Sequence, residues 1–175
     1  MVSSNPRSGR ISQIVLHLLT FALCAGLVWL FIHVSEVNNL YRARFAEMVD
    51  GSAYRPYVYR TLLPTTVRLL TAALPAGWNE VLAGVPWIAA GLAAFKVEPQ
   101  RALQAVTAWG LMTLSLYGFA LAMRRLLRTL YVLPDWTAGL LSMLVLAVLP
   151  VFWKFGYIYD FTTLLLFTWQ LAFMA

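Results

Sequence analysis

Most of the polar chemistry in this chain of 175 residues falls between residues 35 and 101. Glu36, Asn38, Asn39, Arg42, Arg44, Glu47 and Asp50 come first, followed by the turn Asp50-Gly51-Ser52. Next stands Tyr54-Arg55-Pro56-Tyr57-Val58-Tyr59-Arg60-Thr61-Leu62-Leu63-Pro64, where tyrosines and arginines alternate around prolines that keep the backbone extended or turning. Two readings of this stretch are open. On composition alone it is an interfacial belt, because tyrosine and arginine both favour the depth of lipid headgroups. The sharper reading is a substrate site: arginines beside carboxylates hold an anionic, lipid-linked phosphate while an acid transfers a proton.

The elements around these residues follow from composition. Hydrophobic residues make up 61% of the chain and charged residues 11%, and the mean hydropathy is +0.73. Soluble domains carry roughly 25% charged residues, so a water-soluble enzyme, a DNA-binding domain and a disordered chain are excluded, and a multi-pass membrane protein is expected. The net charge of +6 sits between apolar runs, where arginine and lysine set topology and meet anionic headgroups. No nucleic-acid partner is therefore expected. Cys24 is the lone cysteine, which excludes an intramolecular disulfide and a cysteine metal site. His17 and His33 lie far apart on one helix and read as ordinary intramembrane or interfacial histidines.

Residues 11–34 are apolar and uncharged for about 24 positions, enough to cross a ~30 Å hydrocarbon core and too long for a signal peptide. They predict a retained first span with the N-terminus in the cytoplasm. Residues 103–123 predict a second span, closed by Arg124, Arg125 and Arg128 in a short loop that should be cytoplasmic. Residues 136–153 and 158–175 predict a third and a fourth, with Trp29, Trp136 and Trp153 near the ends of runs. The expected architecture is thus all-α: a polytopic transmembrane helical bundle, one integral membrane domain over residues 1–175, in four spans. A fifth is open, because residues 81–95 are apolar. That run is short, contains Pro86 and is followed by Lys96, Glu98, Pro99 and Arg101, which favours a re-entrant or interfacial segment in the outer loop of residues 35–102. The same loop should hold an amphipathic interfacial helix at about 61–75, with Thr61, Thr65, Arg68 and Thr71 on one face and Leu62, Leu63, Leu69, Leu70 and Leu74 on the other. Gly84, Gly91, Ala90 and Ala94 sit at helical spacing and read mainly as apolar filler rather than close-packing sites.

A first span, an acid-bearing outer loop, and then Asp50-Gly51-Ser52-Ala53-Tyr54 through Tyr57-Val58-Tyr59-Arg60-Thr61-Leu62-Leu63-Pro64 leading into a helix resemble the GT-C superfamily. These are polytopic glycosyltransferases that use polyprenyl-phosphate sugars, and the similarity is to the mannosyltransferases among them, over the N-terminal part of a fold with more spans. Gly156-Tyr157-Ile158-Tyr159-Asp160 is a second similarity. The resemblance implies transfer of a sugar at the outer face of the membrane. In the family an acid of the first outer loop, often within Asp-x-Asp, serves as base or metal ligand. Here Glu36-Val37-Asn38 stands at that distance, so no cofactor is expected and a divalent metal lacks its Asp-x-Asp. Glu36, Glu47 and Asp50 are the implied candidates for the base, in that order. Arg55 and Arg60 would hold the phosphate, and Tyr57 and Tyr59 would stack on sugar or prenyl chain. Asp160 would orient the acceptor or pair with an arginine, unless it is simply a helix N-cap.

The alternative from another class is a small non-catalytic membrane protein that scaffolds or regulates a partner through its outer loop. A transporter half is disfavoured, since the apolar runs lack a mid-span charge. Expected partners are membrane lipid, a polyprenyl-phosphate sugar, and either a membrane-protein partner or further C-terminal spans. Residues 158–175 are barely long enough to cross and lack a flanking anchor, which predicts a partial chain. Abundant alanine, leucine and arginine with little lysine point to a GC-rich bacterium and its inner membrane.

Overall fold

The computed structural model describes residues 6–34, 38, 44–53, 62–75, 77–152 and 157–175. Every regular element among them is helical. Four longer helices form the frame: α1 (Pro6–Val34), α6 (Ala102–Leu130), α7 (Asp135–Phe152) and α8 (Asp160–Met174). Between α1 and α6 lie α2 (Phe45–Asp50), α3 (Leu62–Ala72), α4 (Trp78–Ala83), α5 (Pro86–Phe95) and a single 3-10 turn, Pro99–Arg101. Helix α6 packs against α8, α7 and α1, and α1 also packs on α7. Side-chain contacts show that successive frame helices run antiparallel, so that α1 lies parallel to α7 and α6 parallel to α8. Phe31, near the end of α1, meets Phe161 at the start of α8, whereas Gln13, near the start of α1, reaches Asp135 at the start of α7. The bundle therefore has an Asp50 end, which carries α2 to α5, and an Asp135 end.

Two helices are long and apolar enough to cross a membrane, over Ser12–Val34 and Pro99–Leu130. Helices α7 and α8, of 18 and 15 residues, rise about 27 and 22 Å at 1.5 Å per residue. The expected short loop at Arg124, Arg125 and Arg128 is corrected: all three lie in the last two turns of α6. Arginine is a good helix former, and cations are favourable beside the carbonyl end of a helix. The connection to α7 is residues 131–134, ending at Pro134.

Residues 81–95 do not form one element. The chain breaks at Gly84 and Val85, and Pro86 opens α5 at its first helical position, where its missing N–H costs nothing. Ten residues of helix rise only ~15 Å, and α5 lies against α1 and α6. Helix α3 is close to its predicted place, but its two-faced pattern is revised. Leu63, Pro64 and Val67 are buried, while Leu62, Leu69 and Leu70 are exposed with Arg68. One predicted leucine face is thus divided between a strip on the protein and a strip pointing away from it.

Gly91 is not filler. A Cβ placed there would stand 2.8 Å from Trp109 and 3.0 Å from Trp29, so glycine allows α5 to approach the indole rings of α1 and α6. Around that contact Trp29 meets Trp87 and Trp109 edge-on, and Phe95 bridges Trp109 to Phe45 of α2. This aromatic cluster anchors the short helices to the frame.

Candidate functional site

At the Asp50 end, α2 owes its place to a few polar ties. Gly51 closes it at φ +77°, a left-handed conformation suited to glycine. Beyond Gly51, the N–H groups of Ser52 and Ala53 donate to the Glu47 carbonyl, 2.8 and 3.0 Å away. Asn38, itself at φ +77°, stitches two elements together. Its side-chain amide donates to the Phe95 carbonyl at 2.6 Å, and its side-chain oxygen accepts from the Phe45 N–H. Asn79 of α4 accepts the Leu103 N–H at 2.9 Å, satisfying a first-turn donor of α6. So α2, α4, α5 and the start of α6 are fastened together at one end of the bundle.

Across this junction runs a two-pronged ion pair. Arg101 donates to Asp50 through Nη2 to Oδ2 at 2.7 Å and through Nη1 to Oδ1 at 3.0 Å, and Nη1 also lies 3.4 Å from Gln104 Oε1. The fork matches the carboxylate geometry. The hydrogen-bonding Arg101 guanidinium holds the Asp50 carboxyl below the usual carboxylate range; burial pushes the other way, and the charges of Arg101 and Arg68 add to the lowering. Beside the pair opens a polar cleft of about 480 Å³, lined by Arg44, Glu47, Lys96, Glu98 and Arg101 with Asn38 at its edge. Its charge is mixed: Arg44, Lys96 and Arg101 stand with Glu47 and Glu98, and Arg101 is paired with Asp50.

Of the residues singled out from sequence, Glu47 and Asp50 share α2 and lie at this cleft and its flanking ion pair. Glu36, Arg55, Tyr57, Tyr59 and Arg60 lie outside the described residues. Asp160 is at the same end of the bundle but not in the cleft. Its carboxylate accepts the Tyr157 N–H at 2.8 Å and borders a small apolar gap among Phe31, Leu116, Leu149, Phe161 and Leu164. Tyr159 rather than Asp160 is the N-cap residue of α8, so the carboxylate ties the chain entering the helix instead of capping it. Tyr157 and Tyr159 stack with ring centroids 5.0 Å apart. Among the described residues no three His, Cys, Asp or Glu side chains gather into a set that could hold a metal.

Sequence reasoning passed over Arg44, Lys96, Glu98 and Arg101 as site residues. For Lys96, Glu98 and Arg101 the signal available was their position after the apolar run 81–95, which reads as topology until the chain folds them beside Glu47, whereas Arg44 stands in the polar stretch before it. Comparison with protein-family models, curated proteins and solved structures finds no match for this chain.

Proposed function

We propose that the chain is an integral membrane protein in which α1, α6, α7 and α8 are four spans and the Asp50 end faces outward. On this reading it carries the site of a GT-C type glycosyltransferase acting on a polyprenyl-phosphate sugar. The N-terminus would lie in the cytoplasm and the membrane would be a bacterial inner membrane. The observation that carries the reading is the cleft in which Glu47 stands among Arg44, Lys96 and Arg101, at the end of a bundle whose outward leucines are bare. Leu18, Leu114 and Leu144 are each more than half exposed in the middle of their helices, a pattern suited to lipid and costly in water.

The chemistry asks for a base and an anion site. A carboxylate takes the proton of the acceptor hydroxyl, the freed oxygen attacks the anomeric carbon, and the polyprenyl phosphate leaves with the bonding electrons. Arg44 and Lys96 would neutralise the departing phosphate, beside the Arg101 guanidinium already paired with Asp50. Among the described acids Glu47 suits the base, because Asp50 is committed to Arg101 and its lowered pKa makes it a poor proton acceptor. Glu36, Arg55, Tyr57, Tyr59 and Arg60 would complete the site, with lipid and the donor sugar as partners.

The test is sugar transfer from a radiolabelled polyprenyl-phosphate donor in proteoliposomes. Wild type should turn over and Glu47→Gln should lose at least ~100-fold, the usual scale for a general base. Silence of a correctly folded wild type would reject the enzyme reading in favour of a scaffold, and equal turnover by the two proteins would reject Glu47 as the base.

A further inference from the structure

The Asp135 end holds a second charged recess, away from the cleft. Leu121, Arg124, Arg125, Arg128 and Thr129 line a hollow of about 480 Å³ along the last turns of α6. The spacing of the arginines divides them. Arg124 and Arg128, four apart, turn toward α7, where Asp135 lies 3.7 Å from Arg124 and 2.7 Å from Arg128. Arg125, one position on, turns toward α8, its guanidinium 5.8 Å from the Trp169 ring centre and 5.0 Å from that of Phe173. Among the described residues, the three guanidiniums lining the hollow have one carboxylate, Asp135, as an ion-pair partner for two of them, so the hollow keeps an excess of positive charge. Its surroundings are apolar: Leu130, Tyr131 and Trp136 are all more than half exposed.

We propose that this hollow binds the phosphate of an anionic membrane phospholipid, with the acyl chains lying along the exposed apolar residues beside it. Arg125 and Arg128 supply forked donors to the phosphate oxygens. The ring faces of Trp169 and Phe173 hold Arg125 in place without neutralising it. Asp135 tempers the site by pairing closely with one nitrogen of Arg128 and more loosely with Arg124. Combining an excess of cation with an apolar rim selects a lipid over a soluble phosphate, and a basic recess between helices at headgroup depth is a setting in which anionic lipids are held. The proposal rests on the membrane reading but not on glycosyl transfer.

The test uses the full chain in a non-ionic detergent, presented with equal amounts of phosphatidylglycerol and phosphatidylcholine, with bound lipid counted by native mass spectrometry. Wild type should retain phosphatidylglycerol preferentially, and Arg125→Gln and Arg128→Gln should each reduce that retention about fivefold. Asp135→Asn should raise it by releasing Arg124 and Arg128. Arg125→Lys should keep the preference in part, which distinguishes lost charge from a collapsed fold. Equal retention of the two lipids, or glutamine variants that retain phosphatidylglycerol like wild type, would overturn the proposal. So would complete displacement of phosphatidylglycerol by an equal concentration of inorganic phosphate, because the ligand would then be the free anion. Extraction separates the two readings: a chain that leaves membranes in alkaline carbonate without detergent fails the membrane reading, whereas one that needs detergent but shows no lipid preference fails only this inference.

Discussion

Gly91 offers the sharpest physical test of how the short helices are held over the bundle. An added Cβ would lie 2.8 Å from Trp109 Cη2, 3.2 Å from Trp109 Cζ3 and 3.0 Å from Trp29 Cζ3. Neither ring can slip aside cheaply, because the two indoles meet each other edge-on and Trp109 is also braced by Phe95. Gly110, inside α6, has nothing within 4 Å of the same added atom. Both positions are mid-helix, so Gly→Ala brings a similar propensity gain of ~1 kcal/mol at each. That gain cancels in the comparison, leaving the overpacking at Gly91, worth about 1–3 kcal/mol. Gly110→Ala should be neutral or stabilising, and Gly91→Ala should be less stable than it by that amount, read as midpoints of denaturation in one detergent. Because α5 runs into Lys96 and Glu98, Gly91→Ala should also, on the glycosyl-transfer reading proposed above, weaken binding of an anionic donor. Midpoints for the two variants that agree within ~0.3 kcal/mol would refute the close approach of α5 to Trp29 and Trp109.

Two further outcomes are expected. Asp50 has a folded-state pKa lowered by Arg101, so the pair's stabilisation is present above the unfolded value of about 3.9 and is lost as pH falls through the lower, folded value. Because the Asp50 side chain is 47% exposed, solvent screening limits the effect to ~1 kcal/mol or less. The advantage of wild type over Asp50→Asn in a thermal melt should fade as pH falls below about 4 and on through the lowered folded-state value, and an advantage that grew on acidification would contradict the pairing. At the middle of the bundle the Tyr117 hydroxyl lies 2.9 Å from His17 Nδ1. Tyr117→Phe should cost about 0.5–1.5 kcal/mol in detergent, the scale of hydrogen bonds between membrane helices. A double-mutant cycle with His17→Phe that showed no coupling would remove the bond from the account.

The long helices were legible because their signal is cumulative. Runs such as 11–34 and 103–123 carry many apolar residues between charged ends, and α1 and α6 fall over them. The failures came where a neighbour decides. Arg124, Arg125 and Arg128 read as a loop because charge suggested solvent, yet α6 continues through them, with Asp135 and the rings of Trp169 and Phe173 as partners. Helix α3 read as two-faced because sequence cannot separate leucines that meet protein from leucines that point away. Glycine at 91 read as filler because nothing local reveals two indoles arriving from α1 and α6. At the candidate site, Glu47 and Asp50 were legible by type, but Arg101 lies 51 positions from Asp50, and that pairing is a product of the fold.

The same distinction governs what the Asp50 end can do. The cleft is built from chain that by itself would be poor scaffolding: a six-residue helix, a left-handed asparagine and the residues following a ten-residue helix. Its geometry comes instead from ties to the bundle. Asn79 holds the first turn of α6, Asn38 joins α2 to the end of α5, Gly91 admits α5 to the indoles, and Arg101 joins the start of α6 to Asp50. Each tie crosses between elements that are distant in sequence, so releasing one should loosen the cleft before it unfolds the helices. Asp50 belongs to this positioning set, and on the glycosyl-transfer reading proposed above Glu47 has the better claim to proton transfer. On that reading a charge-preserving change at the Asp50–Arg101 pair should weaken donor binding first, whereas Glu47→Gln should strike turnover first. Measuring donor affinity and rate separately for the two variants would distinguish the group that builds the site from the group that acts in it.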